Sequence, residues 1–371
     1  MERETEESPH TAQYETKTPL TQGHRLLTIH DRAINFLADI RFHQSILLPP
    51  NPENGRSLPL RVTYSDIGHP EGEPLIVCGG LYGSRYSLAQ ADDLAKQHRV
   101  RLITPDKPGI GGTGPVDIHH KVNTWFEIVR ALAHHLNLKH ISLLGHSSGA
   151  IYILNSLLHL RHLLHPARPY AALFTPWVHP SHSGRDAPTP HVASLLPDWA
   201  IHKWYDASHF LSVHDVTPNL GPSTARPGVK MDNEGSLTRA VDEKIMEYAL
   251  LEDVEGVSQE ALFCLKRGGE GAWGGWEDYG EFVPLLKRQE EGRGERDARI
   301  ELDVYFSEED NSSGVSGSKW FDELWKEKIG EWIRYESTTV PGTTHETIMR
   351  AESGALGSVF ARITEMRKGE E

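Results

Sequence analysis

The stretch that decides the fold is I-S-L-L-G-H-S-S-G-A, residues 141–150. An apolar run delivers two adjacent serines between two glycines, and a second apolar run, AIYILNSLL, follows at once. A nucleophile at a sharp strand-to-helix turn holds strained backbone angles. The residues two positions to either side must be small, because strand and helix pass close together there. Gly145 and Gly149 meet that need for Ser147, whereas centring on Ser148 would require glycines where His146 and Ala150 stand. The pentapeptide alone is weak evidence, and a plain tight turn closing a buried strand is the competing reading. Its weight comes from the strand before it and the helix after it.

Runs of strand and helix length flank this turn on both sides. Phe42–Leu48 and Leu58–Tyr64 are strand-like, and the turn-forming PPNPENG separates them. Pro74–Cys78 ends in GGLYG, and Val100–Ile103 runs into TPDKPGIGGTGP. Lys121–Leu138 places Trp125, Ile128, Val129, Leu132 and Leu136 at helical spacing. His140–Leu144 is the strand leading to the serines, Ala150–Leu164 a helix apolar over most of its circumference, and Ala171–Val178 a strand again. Strands alternating with helices need crossovers, which produce a mostly parallel sheet covered on both faces. The two opening strands have no helix between them and form an antiparallel start to the sheet.

After residue 179 the alternation breaks. Helix-like pieces, Val241–Glu252 and Gln259–Leu265, are mixed with RGGEGAWGGWEDYG and with the charge run KRQEEGRGERDAR, which reads as a solvated connector. Ile300–Phe306 restores the pattern, with Ile300, Leu302, Val304 and Phe306 on one face. A helix over Trp320–Ile329, a strand over Trp332–Thr338 and a last helix after Thr347 follow. The expected organisation is a disordered segment over 1–25, an α/β core of 26–178 and 298–371, and a mainly helical insertion over 179–297.

Composition limits the function classes. The formal charge of −14 and the lack of a basic stripe disfavour nucleic acid, whose phosphates need a cationic surface. No apolar run is long enough to span a bilayer, and the polar N-terminal stretch lacks the apolar segment of a secretory signal. A soluble cytoplasmic protein without membrane association is the expectation. Cys78 and Cys264 lie far apart without metal-ligand spacing and read as free buried thiols.

A serine hydroxyl attacks only when a base takes its proton and a third group orients that base. Among 22 histidines, His345 in VPGTTHETIM follows the last strand and sits on a loop at the sheet's carboxyl edge, where catalytic groups of such sheets gather. His179 and His182, after the sixth strand, are its rivals. His159, His162 and His165 recur at helical spacing and read as a partly exposed helix face rather than a metal site. For the carboxylate, SEEDNSSG offers Glu308, Glu309 and Asp310, with Asp310 favoured, Glu309 second and Asp186 a further alternative. Donors for the developing oxyanion would be the backbone amides of Ser148 and, from the GGLYGS loop, Leu81. Gly109, Gly111 and Gly114 match G-x-G-x-x-G, but Pro108 and Pro115 bracket them and no helix opens directly after them, which argues against a dinucleotide site.

In PLIVCGGLYGS, ITPDKPGIGGTGP, SLLGHSSGA, VYFSEEDNSS and VPGTTHETI the chain resembles the α/β-hydrolase superfamily, in the branch with a lid inserted after the sixth strand. The pieces stand in the family's order and span roughly 60–180 and 298–365. The resemblance implies an eight-stranded, mostly parallel sheet with helices on both faces, and the serine–acid–histidine order maps onto Ser147, Asp310 and His345. Gly79-Gly80 replaces the family's usual His-Gly, and Ser307 stands where a glycine often precedes the acid. A serine rather than an aspartate at the nucleophile position disfavours the epoxide-hydrolase and dehalogenase branches. The function implied is a cofactor-independent serine hydrolase of an ester, thioester or amide, acting on a small molecule, with a homodimer left open. Gly80, Tyr82 and His146 would line its pocket, with Trp273 and Trp276 either lining it or packing inside the lid. A ligand-binding protein that has lost turnover, and a carbon–carbon hydrolase or lyase using the same serine, are the alternatives.

Overall fold

A computed structural model describes residues 27–203, 233–252, 255–269, 271–294 and 298–367. The segment expected to be disordered, 1–25, and residues 204–232 of the insertion lie outside them. Eight strands form one sheet: β1 (Gln44–Leu48), β2 (Leu60–Gly68), β3 (Glu73–Cys78), β4 (Val100–Pro105), β5 (Ser142–His146), β6 (Tyr170–Phe174), β7 (Ile300–Glu309) and β8 (Ile333–Thr344). Their spatial order is β1-β2-β4-β3-β5-β6-β7-β8. The pairs β1–β2 and β2–β4 are antiparallel and all others parallel, as expected from the helix-free link between the first two strands.

Side-chain alternation along the strands splits the core into two layers. Ile300, Leu302, Val304 and Phe306 face a layer shared with α3 (Lys121–His135) and α4 (Gly149–His159). Tyr305 faces the opposite layer, with α1 (Ile29–Leu37), residues beside α2 (Asp92–Gln97), and the C-terminal α10 (Ala355–Arg367). Parallel strands buried on both faces must be apolar throughout; β5 and β6 are buried at every position.

Between β6 and β7 the described residues form helices and no strand: α5 (Pro188–Leu195), α6 (Asn233–Leu251), α7 (Glu255–Cys264) and α8 (Tyr279–Arg293). The charge run read as a connector is largely the last turns of α8, whose inner face buries Phe282, Val283 and Leu286. A helix needs only one apolar stripe, and a charged remainder is compatible with it. Trp273 and Trp276 are buried, with Trp276 Nε1 donating to Asn155 Oδ1 at 3.0 Å, so both pack against α4. Among the described residues no helix is long and apolar enough to cross a membrane.

Other boundaries also moved. The helix read over Ala150–Leu164 stops at His159, so His159, His162 and His165 do not share one helix face, and His165 is buried. β6 stops at Phe174, because Thr175 turns into the left-handed region (φ 39°). The helix read from Trp320 begins earlier, as α9 (Gly314–Lys328), and α10 starts ten residues after His345. Helices α1 and α2 were not anticipated; they are short, and their faces make sense only against the sheet.

Candidate active site

The carboxyl ends of β3, β4, β5, β6, β7 and β8 share one edge, and each delivers a loop there. Ser147, directly after β5, has φ 51°, a conformation costly for a residue with a Cβ. The turn is pinned by Ser147 N–H donating to Phe174 O (3.0 Å) and by Ala150 and Trp177 amides donating to Ser147 O (3.0 and 3.1 Å). The flanking glycines act through close approach. A Cβ on Gly145 would lie 2.9 Å from Ile153 Cγ1 and 3.1 Å from Ala150 N, and one on Gly149 would strike the Cys78 carbonyl. The steric reading of the motif therefore holds at both positions.

β7 carries Glu308 and Glu309 to its exposed end, and Asp310 turns inward and is 4% exposed. Its Oδ1 accepts from the Ser312 and Ser313 amides at 2.8 and 2.9 Å and from His345 Nδ1 at 2.9 Å. The neighbours are otherwise engaged: Glu308 accepts from Gly342 N–H, and Asp186 from Ser316 N–H. His179 bonds Ser181 and His182 stacks on Trp320, so of the three candidate histidines it is His345 that meets Asp310. His146, expected to line a pocket, is buried, with its Nε2 bonded to the His345 carbonyl at 3.0 Å. Gly80 completes the group, since a Cβ there would lie 3.1 Å from Ser147 Cβ and 3.2 Å from His146 Nδ1.

Electrostatics separate the two adjacent imidazoles. Burial alone would lower the pKa of His345, but the hydrogen bond and charge of Asp310, with the charge of Glu346, hold it above the usual histidine value. Burial lowers His146, and the charge of His345 adds to that effect, against a raising pull from Glu346. Asp310 shows the converse: burial would raise it, but its bond to His345 and to two backbone amides holds it below the ordinary carboxylate value.

The loop after β3 brings Leu81 half-buried and Tyr82 exposed at the rim. Neither the Leu81 nor the Ser148 amide donates to another described residue. Asp106, read as structural, accepts from Arg85 N–H (2.6 Å) and Arg85 Nη1 (2.7 Å), tying the β3 and β4 loops together. Gly111 lies against its carboxylate, and the next α-helix begins only at Lys121.

Sequence reasoning missed Lys107, Lys121 and Glu260, whose side chains meet in the interior beneath this site. The available signal was faint: a lone carboxylate inside the apolar run ALFCL and its approach, and a lysine where a strand enters a loop.

No protein-family model matches the sequence, and no curated protein matches it. Solved structures match in fold. A carboxylesterase of the ammonia-oxidizing thaumarchaeon Nitrososphaera gargenis superposes with TM-score 0.55 at 15% identity, over 86% of this chain and 99% of that one. A bromoperoxidase from Bacillus anthracis gives TM-score 0.54 at 14% identity, over 86% and 100% of the two chains. A serine hydrolase involved in carbazole degradation gives 0.51 at 14% identity, over 88% and 100%. At such identities the likeness is one of fold.

Proposed function

The chain has the α/β-hydrolase fold, and we propose that it works as a serine hydrolase, cleaving an ester, thioester or amide bond of a small organic substrate through an acyl-enzyme. Fold alone does not carry this reading, because one fold hosts many functions. The observation that carries it is the Asp310–His345 hydrogen bond at the sheet edge where β5 delivers a serine held at φ 51°.

In this reading Ser147 Oγ attacks the substrate carbonyl carbon while His345 takes its proton. The imidazolium returns that proton to the leaving group as the acyl-enzyme forms, and a water repeats the sequence to release the acid. With Nδ1 bound to Asp310, Nε2 is the nitrogen free to move the proton. Asp310 sets the tautomer and stabilises the imidazolium. The Leu81 and Ser148 amides receive the oxyanion, and the N-terminus of α4 adds its positive dipole end. Gly80, Tyr82 and His146 form the near wall, and the insertion covers the site as a lid. Nothing in these steps calls for a cofactor. A protein without turnover would have no need of an oriented carboxylate–imidazole pair.

Active-serine labelling with a fluorophosphonate tests the assignment. Label should vanish in Ser147→Ala and persist in Ser148→Ala, and the reverse pattern would overturn it. Turnover of aryl esters, compared with β-diketones and cyanohydrins, separates acyl transfer from carbon–carbon cleavage and lyase chemistry.

A further inference from the structure

Beneath the loop after β3 lies a cluster of charges sealed from solvent. The side chains of Lys107, Lys121 and Glu260 each have 0% exposure. Lys107 Nζ donates to the carbonyls of Gly80 (2.7 Å) and Gly79 (3.1 Å) and to Ser148 Oγ (3.3 Å), and it pairs with Glu260 Oε1 at 2.7 Å. Glu260, on α7 of the insertion, also accepts from Ser148 Oγ at 3.1 Å and from Tyr152 OH at 2.8 Å. Lys121 Nζ stands 3.3 Å from the other Glu260 oxygen and donates to Pro108 O at 2.9 Å. The insertion makes a second contact nearby, where Glu252 pairs with Arg85.

Burying charges is costly, and apolar residues of similar volume often serve stability as well or better. Three charges in one dry cluster therefore call for an explanation beyond stability, and the geometry supplies it. The Gly80 carbonyl and the Leu81 N–H belong to one peptide plane. In a trans peptide they point in opposite directions, and no cis bond occurs among the described residues. An ammonium bonded to Gly80 O holds that plane with the Leu81 N–H directed away from Lys107, in a loop whose Gly80 lies against Ser147. The same ammonium touches Ser148, owner of the second donor amide.

We propose that Lys107 is a positioning residue for the oxyanion hole, aimed by Glu260, so that the insertion supports the acyl-transfer site from beneath. This rests on the reading of Ser147 as the nucleophile. Glu260 keeps its charge: burial would raise its pKa, but Lys107 and Lys121 hold it down to about 2.

Lys107→Met tests the proposal, because it leaves Glu260 with Lys121 and Tyr152 and hence no unpaired buried charge. Folding is checked by circular dichroism and thermal melting. With a p-nitrophenyl ester, kcat should fall about 10- to 100-fold, a part of what losing an oxyanion donor outright costs, with KM nearly unchanged. Affinity for a trifluoromethyl ketone, which adds to the serine as a tetrahedral adduct, should fall by the same factor as kcat/KM. Should Lys107→Met fail to fold, Lys107→Leu, which likewise offers no N–H to the Gly80 carbonyl, carries the same comparison. Unaltered kcat and ketone affinity in a folded variant overturn the proposal, as does a loss confined to KM. Absence of both ester turnover and fluorophosphonate labelling in the unsubstituted protein overturns instead the serine-hydrolase reading on which it rests.

Discussion

Ser147 and Ser148 are neighbours in sequence but belong to two polar clusters of different construction. On the Ser147 side, Asp310 and His345 come from the ends of two adjacent strands, β7 and β8, and keep 4% and 8% exposure. That pair can gain and lose a proton. On the Ser148 side, Lys107, Lys121 and Glu260 come from a loop, a core helix and the insertion, and no water reaches them. Their side chains pair with one another. The contrast is between a buried polar pair at the ends of two strands, which the proposed mechanism uses for proton transfer, and a fully sealed cluster, to which a positioning role is proposed.

The sharpest way to break the comparison is at Asp310. Asp310→Asn should leave the fold intact and lower kcat by about 10⁴-fold, the scale on which a triad carboxylate acts. Glu309→Gln, at an exposed strand end, should change kcat little. The pH profile gives the sign. The base must be neutral to act, so with His345 raised above the ordinary 6.5 the acid limb of kcat/KM should inflect above that value. In Asp310→Asn only the charge of Glu346 still opposes the effect of burial, and the inflection should move downward. By linkage, the Asp310–His345 pair stabilises the fold most between the unfolded values of the carboxylate and the histidine; the gain fades as pH rises through the raised His345 value and as pH falls through the lowered Asp310 value.

The sealed cluster should answer in stability. Glu260→Gln leaves two buried ammonium groups without their carboxylate and should cost about 3–5 kcal/mol in chemical denaturation. Lys107→Met leaves a balanced pair and should cost less. Because the folded pKa of Glu260 is depressed from 4.5 to about 2, its contribution is present above the unfolded value and lost as pH falls between the two. Glu260→Gln should remove that part of the acid slope. The smallest effect is expected at the exposed pair Arg239–Glu243 on α6, where Arg239→Ala should shift stability by no more than about 0.5 kcal/mol.

Legibility in the sequence followed the same division. Gly145, Ser147 and Gly149 could be read because the strain and the close approach they relieve are local. The strands of the core could be read because period-two apolar runs have few other uses, as Ile300–Phe306 illustrates. Asp310 was ranked above Glu309 and Glu308 on position alone, and the inward turn after β7 is what distinguishes it. Failures came where local pattern underdetermines the outcome. The charged residues before Arg293 looked like solvated loop because a helix with one narrow apolar face has no strong period there. Glu260 lies 153 residues from Lys107, and no spacing rule connects them.

The chain by itself determined an α/β sheet and the strained serine turn between two glycines, since each depends on steric or periodic constraints within a few residues; the order of serine, acid and histidine came only from the family resemblance. Only the tertiary structure decided which carboxylate meets His345, what His146 bonds to, and that a carboxylate from the insertion reaches a lysine under the loop after β3. Hydrogen bonds and ion pairs require atoms within about 3 Å, and between distant segments that proximity is a product of the packed sheet and its helices, written in no local stretch of the chain.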